Sequence, residues 1–253
     1  MKELLQKNSI RKLLSVALAL LLWQAGAMAL DLNLLLVTPV EVVRRLFTLV
    51  GENDFWQTLL FSFSRIVLGF ALAFALGCLL GVLSGKWPLL ETLLWPYVIT
   101  IKTVPVASFI ILSLIFFSAR QLPTFISFLM VFPVIYSNVL EGISSTDREL
   151  LEMAQVFKIS WWRRLGYIYL PHLKPFLFSA CSVALGMSWK SGVAAEVIGV
   201  ASGSIGEKLY ESKVYFITED LLAWTVVIVL ISVLFEKLFL RLMRAAFRRW
   251  EGR

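Results

Sequence analysis

Six apolar blocks separated by short polar stretches dominate the chain, at roughly 13–30, 56–84, 89–117, 122–143, 172–199 and 221–246. Each approaches or exceeds the ~20 helical residues that cross a ~30 Å hydrocarbon layer. Backbone polar groups cannot go unpaired in hydrocarbon, so such blocks form helices or the strands of a closed barrel. Barrel strands would alternate apolar and polar residues in segments of about 10, and no segment here does so. The pattern predicts an all-α membrane protein with about six transmembrane helices. The blocks at 56–84, 89–117 and 172–199 are long enough to tilt or break. Pro96 and Pro105 predict a kink or split in the third block, since each removes a helix hydrogen bond. Broken helices at membrane depth line a protein cavity or pathway.

The polar residues between the blocks set the orientation, because Lys and Arg favour the cytoplasmic side. With the N-terminus inside, sixteen Lys and Arg residues fall on inner segments and five (Arg44, Arg45, Arg120, Lys208 and Lys213) on outer ones. Both termini are therefore expected in the cytoplasm. The first block follows a basic start and ends in Ala27-Met28-Ala29, the outline of a secretory signal peptide. Its apolar run is longer than a usual signal core and the rest of the chain is itself membranous, so it is read as an uncleaved anchor. The expected organisation is an anchor helix and outer segment over 1–54, a transmembrane domain over 55–247, and a cytoplasmic tail over 248–253.

Composition narrows the function. Hydrophobic residues make up 59% of the chain and charged residues 16%, against about half and a quarter in soluble domains. The net charge of +7 sits mainly on the inner segments, which suits a membrane surface and not nucleic acid. Cys78 and Cys181 stand alone inside apolar blocks and His172 is the sole histidine, so neither a metal site nor a disulfide framework is expected. The stretch Gly81-Val82-Leu83-Ser84-Gly85-Lys86-Trp87 is one residue short of a phosphate-binding loop and lacks its hydroxyl. No nucleophile–base pair appears. The chain is expected to be no enzyme and to bind no cofactor of its own.

The longest inner connection, 144–171, is the most informative segment. Thr146 with Glu149 three residues on is a capping-box pattern. Leu150, Ala154 and Phe157 then fall at helical spacing on one apolar stripe. Ser160 is placed to cap a second short helix carrying Trp161, Trp162, Arg163 and Arg164, before Leu170-Pro171 ends the loop. Two short helices with an apolar stripe fit a docking element for a partner, and equally an amphipathic helix lying on lipid.

Glu152-Met153-Ala154, with Ile168-Tyr169-Leu170-Pro171 downstream, resembles the E-A-A…G…I-x-L-P loop of binding-protein-dependent permeases of ATP-binding-cassette importers. Thr58 to Arg65, followed by Gly69-Phe70, Gly77 and Gly81, resembles that family's opening transmembrane signature. Val37-Thr38-Pro39 with Val42 and Leu46, and Ala195-Glu196-Val197 with Gly203 and Gly206, are similar to segments of its nitrate/taurine/sulfonate branch. The ordered set covers roughly residues 36–245. The resemblance implies a type I importer permease (MetI-like) fold in a bacterial-type plasma membrane. It also implies a homodimer, cytoplasmic ATPase subunits that bind the ATP, and an extracytoplasmic solute-binding protein. The coupling-loop residues it implies are Glu152, Ala154, Phe157, Lys158, Leu170 and Pro171. Lys158 stands where the family has glycine, so it either bears a left-handed conformation or the turn has another shape.

Charges inside apolar blocks are expensive and suggest a pathway or a buried pair. Arg65 is expected to pair with an acid or a backbone carbonyl, and Glu196, near the outer end of its block, to reach water. Lys102 lies beside the broken third helix. Lys190 lies mid-block between Trp189 and Ser191, with Gly186 and Gly192 permitting close helix approach. Lys102 and Lys190 favour an anionic solute, and Trp189 a planar one. Snorkelling or backbone-bonded lysines are the plainer reading. The expected solute is a small anion or organic compound, nitrate-, sulfonate- or taurine-like, or a vitamin precursor. A self-contained secondary transporter or channel would predict inverted repeats, and a membrane enzyme a cluster of His, Asp or Glu on one face. Neither pattern is present in the sequence.

Overall fold

The computed structural model describes residues 2–30 and 37–251, which form helices joined by short turns. Expectations for residues 31–36 of the outer segment and for the last two residues of the tail lie outside the described residues. In chain order the helices are α1 (Lys2–Leu30), α2 (Pro39–Val50), α3 (Phe55–Lys86), α4 (Pro88–Thr103), α5 (Val106–Ser113) and α6 (Leu122–Ser144). They continue as α7 (Arg148–Val156), α8 (Trp161–Arg164), a π-helical turn (Leu165–Tyr169), α9 (Leu170–Gly199), α10 (Ile205–Val214) and α11 (Thr218–Glu251).

Among the described residues, α3, α6, the rod Trp161–Gly199 and α11 are long and apolar enough to cross a membrane. The bent pair α4–α5 makes a fifth crossing if it counts as one, and α1 carries a shorter apolar stretch, Leu14–Ala29. The third block splits as its prolines predict, but at Pro105 and not at Pro96. Helix α4 runs through Pro96, and the chain bends by 103° between α4 and α5. The Pro105 ring forces the residue before it out of the helical region, and Val104 accordingly sits at φ −75°, ψ 132°.

A row of small residues on α3 decides the centre of the fold. Gly69, Ala73, Gly77, Gly81 and Gly85 recur every fourth position and so share one helix face. A Cβ at Gly69 would lie 2.4 Å from the Thr124 carbonyl oxygen, and one at Gly81 would lie 2.8 Å from Val139 Cβ. Small residues let helix backbones approach closely where no hydrophobic force drives association, and α6 fills that approach. Helix α9 joins at Gly192, whose Cβ would meet Ile66 and Ser127 Oγ at 2.6 Å. Gly186 has no such neighbour within 4 Å, so only one of the two expected close-approach glycines serves. Polar side chains fix the register. Ser127 Oγ donates to Ser188 O at 3.0 Å and Tyr136 hydroxyl to Ser84 Oγ at 3.1 Å.

Helices α2 and α10 and the start of α11 form a layer over one end of the bundle. Thr38 caps α2 in a full capping box with Glu41, and these hydrogen bonds hold the Glu41 carboxyl below its ordinary range. Leu49, Phe55, Ile205, Trp224 and Val227 pack a small core beneath it. Around this core Arg45 pairs with Asp220 and Glu52, and Lys208 with Asp54 at 2.8 Å. The opposite end of the bundle carries α7 and α8.

Candidate functional site

At the α7 end, the chain leaves α6 and makes a short helix, a tight turn and a second helix. Asp147, not Thr146, caps α7: its carboxylate accepts from Glu149 N at 2.9 Å. The Thr146 hydroxyl is instead turned back onto Gly142 O at 3.3 Å. The expected apolar stripe is divided between two faces. Ala154 is fully buried, whereas Leu150, Met153, Val156 and Phe157 project outward, Phe157 at 72% exposure. Glu152 is exposed and pairs with Arg148 at 3.0 Å, a surface contact of little energy.

Lys158 adopts φ 51° and bears the left-handed conformation that glycine would adopt without strain. Its N–H bonds Gln155 O, and Ile159 N bonds Ala154 O, both at 2.9 Å, the paired closure of a Schellman turn. Arg164 completes the turn. Its guanidinium donates to Ile159 O at 2.8 Å and to Ala154 O at 3.3 Å. Hydrogen bonds from a charged donor contribute about 1.5–3 kcal/mol each, so one side chain clamps the end of α7 to the following helix. That clamp was not legible in the sequence, where Arg164 read only as one of a basic pair.

Leu170-Pro171 does not end the loop. Residues from Trp161 to Gly199 form one continuous rod, with Leu170 half-buried and Pro171 exposed within it. Proline lacks an N–H for the carbonyl four residues back, and the chain answers by widening: Leu170 N bonds Leu165 O five residues back. At the start of the rod Trp161 packs against Tyr169, the two rings tilted with centres 5.5 Å apart. The Lys86 ammonium lies 5.1 Å over the Trp161 ring. Helix α7 is thus joined to the α8–α9 rod by the Arg164 clamp and to the central core by Leu151.

The pathway candidates separate. Lys102 is exposed on α4 and donates to Ser137 Oγ on α6 at 2.8 Å. It lines a groove of about 410 Å³ shared with Trp95, Tyr136, Glu91 and Glu141, so acids absent from its sequence neighbourhood stand close in space. Lys190 is exposed on α9 and makes no ion pair among the described residues. Its helix neighbours Met187 and Ala194 pack toward the α5 cluster. The Ser127–Ser188 bond sets the register of the antiparallel α6 and α9, so the Lys102 amine at Ser137 lies about twelve residues, roughly 18 Å, along the bundle from Lys190. They do not form one site within a chain. Trp189 is corrected outright: it is 1% exposed, packed with Ile66 and Val193 and 6.1 Å from the Phe63 ring. It belongs to the core and does not face a pathway.

Glu196 does not reach water. It is fully buried, and its Oε2 accepts from Ser62 Oγ at 2.9 Å and from Gly206 N at 3.1 Å. Ser62 Oγ in turn accepts from Ile205 N at 2.9 Å. A Cβ at Gly206 would lie 2.2 Å from Glu196 Cβ, so the Glu196…Gly206 pair is the seam that joins α10 to α9. Arg65 is satisfied by backbone, as expected: it donates to Arg120 O at 2.8 Å and to Phe61 O at 3.3 Å. Among the described residues no three His, Cys, Asp or Glu side chains are placed to share a metal ion.

Comparison with known proteins places these features in a family. Residues 73–252 match the family described as "binding-protein-dependent transport system inner membrane component". A putative aliphatic sulfonates transport permease protein of Bacillus subtilis (strain 168) is 27% identical, over 96% of this chain and 88% of the relative. The taurine transport system permease protein of Escherichia coli (strain K12) is 28% identical, over 91% of this chain and 85% of its own. A bicarbonate transport system permease protein of Synechocystis sp. (strain ATCC 27184 / PCC 6803 / Kazusa) is 29% identical over 69% of this chain and 62% of its own.

Proposed function

Because the chain belongs to the binding-protein-dependent transport system inner membrane components, we propose that it couples a cytoplasmic ATPase to a solute pathway through the α7 element. The chain is the permease subunit of an ATP-binding-cassette importer and not an enzyme. Such a permease works with an ATPase and a solute-binding protein. In this reading ATP is bound by the partner, and two copies of the chain enclose the pathway.

The observation that carries the coupling is the geometry of residues 144–171. Leu150, Met153, Val156 and Phe157 present an apolar face on a helix that Arg164 clamps to the α8–α9 rod and that follows α6 through a short turn, with Leu151 packed on the central core. A rigid element with an exposed apolar face, joined to two membrane helices, converts a partner's movement into theirs. Truncating a large anchor at a buried contact costs more than about 2 kcal/mol, or about 25-fold in affinity. Phe157→Ala is expected to lose ATPase association or solute-stimulated hydrolysis in reconstituted complexes at normal permease abundance. Coupling equal to the unmodified chain would leave α7 as a lipid-surface helix.

For the solute, the relatives' printed names give aliphatic sulfonates, taurine and bicarbonate, and this supports a small anionic or zwitterionic compound here. The exposed Lys190, with no ion-pair partner among the described residues, is the better candidate contact. Lys102 shares its groove with Glu91 and Glu141, which suits a ligand carrying both charges. Lys190→Met is expected to impair uptake at least several-fold while ATPase association stays intact. Unchanged uptake kinetics would return Lys190 to a structural role.

A further inference from the structure

We infer that the lateral groove between α3 and α6 is a binding site for an anionic phospholipid, with Arg65 and Arg120 holding the phosphate and α3 leucines lining the acyl chain. The groove has a volume of about 930 Å³, within the range of cavities that hold small-molecule ligands. Its wall is Leu68, Leu72, Leu76 and Leu79 on one side and Phe125 and Phe128 on the other. From Arg65 to Leu79 the α3 wall runs about 21 Å at 1.5 Å per residue, more than one leaflet's share of a ~30 Å hydrocarbon layer.

The charges mark one end of it. Residues 66–85 carry no charge and are bounded by Arg65 and Lys86, a stretch of 20 residues that matches the full hydrocarbon thickness. Arg65 therefore stands at the headgroup level on the α10 side. Its guanidinium lies 3.4 Å over the Phe61 ring, and that of Arg120 lies 5.7 Å from the same ring. Two like charges share one aromatic platform. No carboxylate lines the groove among the described residues. Glu196, within electrostatic reach of Arg65, is turned away and bonded to Ser62 and Gly206.

Arg65 spends only Nε and one Nη1 bond on backbone oxygens, which leaves donors for a further acceptor. Arg120 is exposed and fully available. Paired guanidiniums at a membrane boundary, lacking a protein anion, are matched by phosphate, whose oxygens accept their forked donors. The apolar wall below them excludes a free phosphate as the complete ligand and calls for an attached hydrocarbon chain. Helix α1 is apolar and uncharged between Leu14 and Ala29, with Asp31 the first acid beyond it, and a second copy's α1 is the competing occupant that the test separates from lipid.

The test uses the full chain in nanodiscs of phosphatidylcholine with stepwise addition of phosphatidylglycerol. A phosphatidylglycerol bearing a photoreactive acyl chain reports occupancy by labelling of α3 peptides. Labelling is expected to saturate with phosphatidylglycerol and to be competed by unlabelled phosphatidylglycerol, but by neither phosphatidylcholine nor inorganic phosphate. Arg120→Gln, which removes no hydrogen bond within the fold, is expected to weaken it about fivefold, near 1 kcal/mol per basic residue. Leu72→Trp is expected to abolish α3 labelling by filling the groove. Equal competition by both lipids, or wild-type labelling in Arg120→Gln, overturns the proposal. So does a disulfide between one copy carrying Leu72→Cys and another carrying Leu22→Cys in α1, both lacking Cys78 and Cys181, which would assign the groove to a second copy's α1.

Discussion

Among the described residues, three non-glycine positions hold left-handed backbone, and each closes a helix in the same way. Lys158, Val200 and Phe216 have φ 51°, 46° and 56°, and the next residue's N–H bonds the carbonyl five back: Ile159 to Ala154, Ala201 to Glu196 and Ile217 to Ser212. Left-handed backbone costs a non-glycine residue roughly 1–2 kcal/mol, so tertiary contacts hold these turns against local preference. The family's loop pattern pointed to Lys158 and left two outcomes open, of which the strained one is found. Val200 and Phe216 carried no sign, because a left-handed turn without glycine has no local signature. Glu196 was visible as a charge in an apolar block, but its seam with Gly206 depends on a contact ten residues away that spacing does not reveal. Lys158→Gly is expected to relieve the turn by about 1 kcal/mol, measured as roughly fivefold slower amide exchange at Lys158 and Ile159. Faster exchange would mean that the lysine side chain supports the turn.

At the scale of elements, composition alone separated membrane helices from connections, because a 20-residue apolar run has one outcome in hydrocarbon. The break at Pro105 followed from local chemistry, while Pro96 was absorbed because a transmembrane helix tolerates a lone proline when its neighbours satisfy the freed carbonyl. The continuation of α8 into α9 was not legible, since Leu170-Pro171 looks like a stop until the π-helical turn shifts the hydrogen-bond frame around it. The α3 glycines belong to the family-like transmembrane pattern, and packing supplies their cause. Gly81→Leu is expected to force α3 and α6 apart at a cost of about 1–3 kcal/mol, seen as a lower thermal midpoint of the detergent-purified protein. Gly186→Ala, with no neighbour to meet, is expected to be neutral or to stabilise by up to ~1 kcal/mol through helix propensity. Equal destabilisation by both would disconnect the motif from helix approach.

For the whole molecule, the alternation of α3, α4–α5, α6, α9 and α11 across one layer sends the α7 turn and the α10 layer to opposite faces. We assign the cytoplasmic face from the Lys and Arg bias, and the exposed residues of the two ends fit that assignment. The α10 end pairs two of its basic residues internally, Arg45 with Asp220 and Glu52 and Lys208 with Asp54, and leaves Arg44, Arg120 and Lys213 exposed. The α7 end leaves Lys158 and Arg163 exposed and carries the exposed Arg241, Arg244 and Arg248 along α11. The positive-inside rule counts Lys and Arg whether or not acids stand beside them, and the α7 side carries more of them. The labelling sites follow from burial: Ser145 and Ser202 are exposed, whereas Ser204 is buried as the cap of α10. In a chain lacking Cys78 and Cys181, Ser145→Cys is expected to react with an impermeant maleimide only after the cytoplasmic face is opened. Ser202→Cys is expected to react in intact cells. Both sites reacting from one side would remove a crossing between them. The reverse pattern would invert the molecule and move α7, with its apolar face, away from any cytoplasmic ATPase.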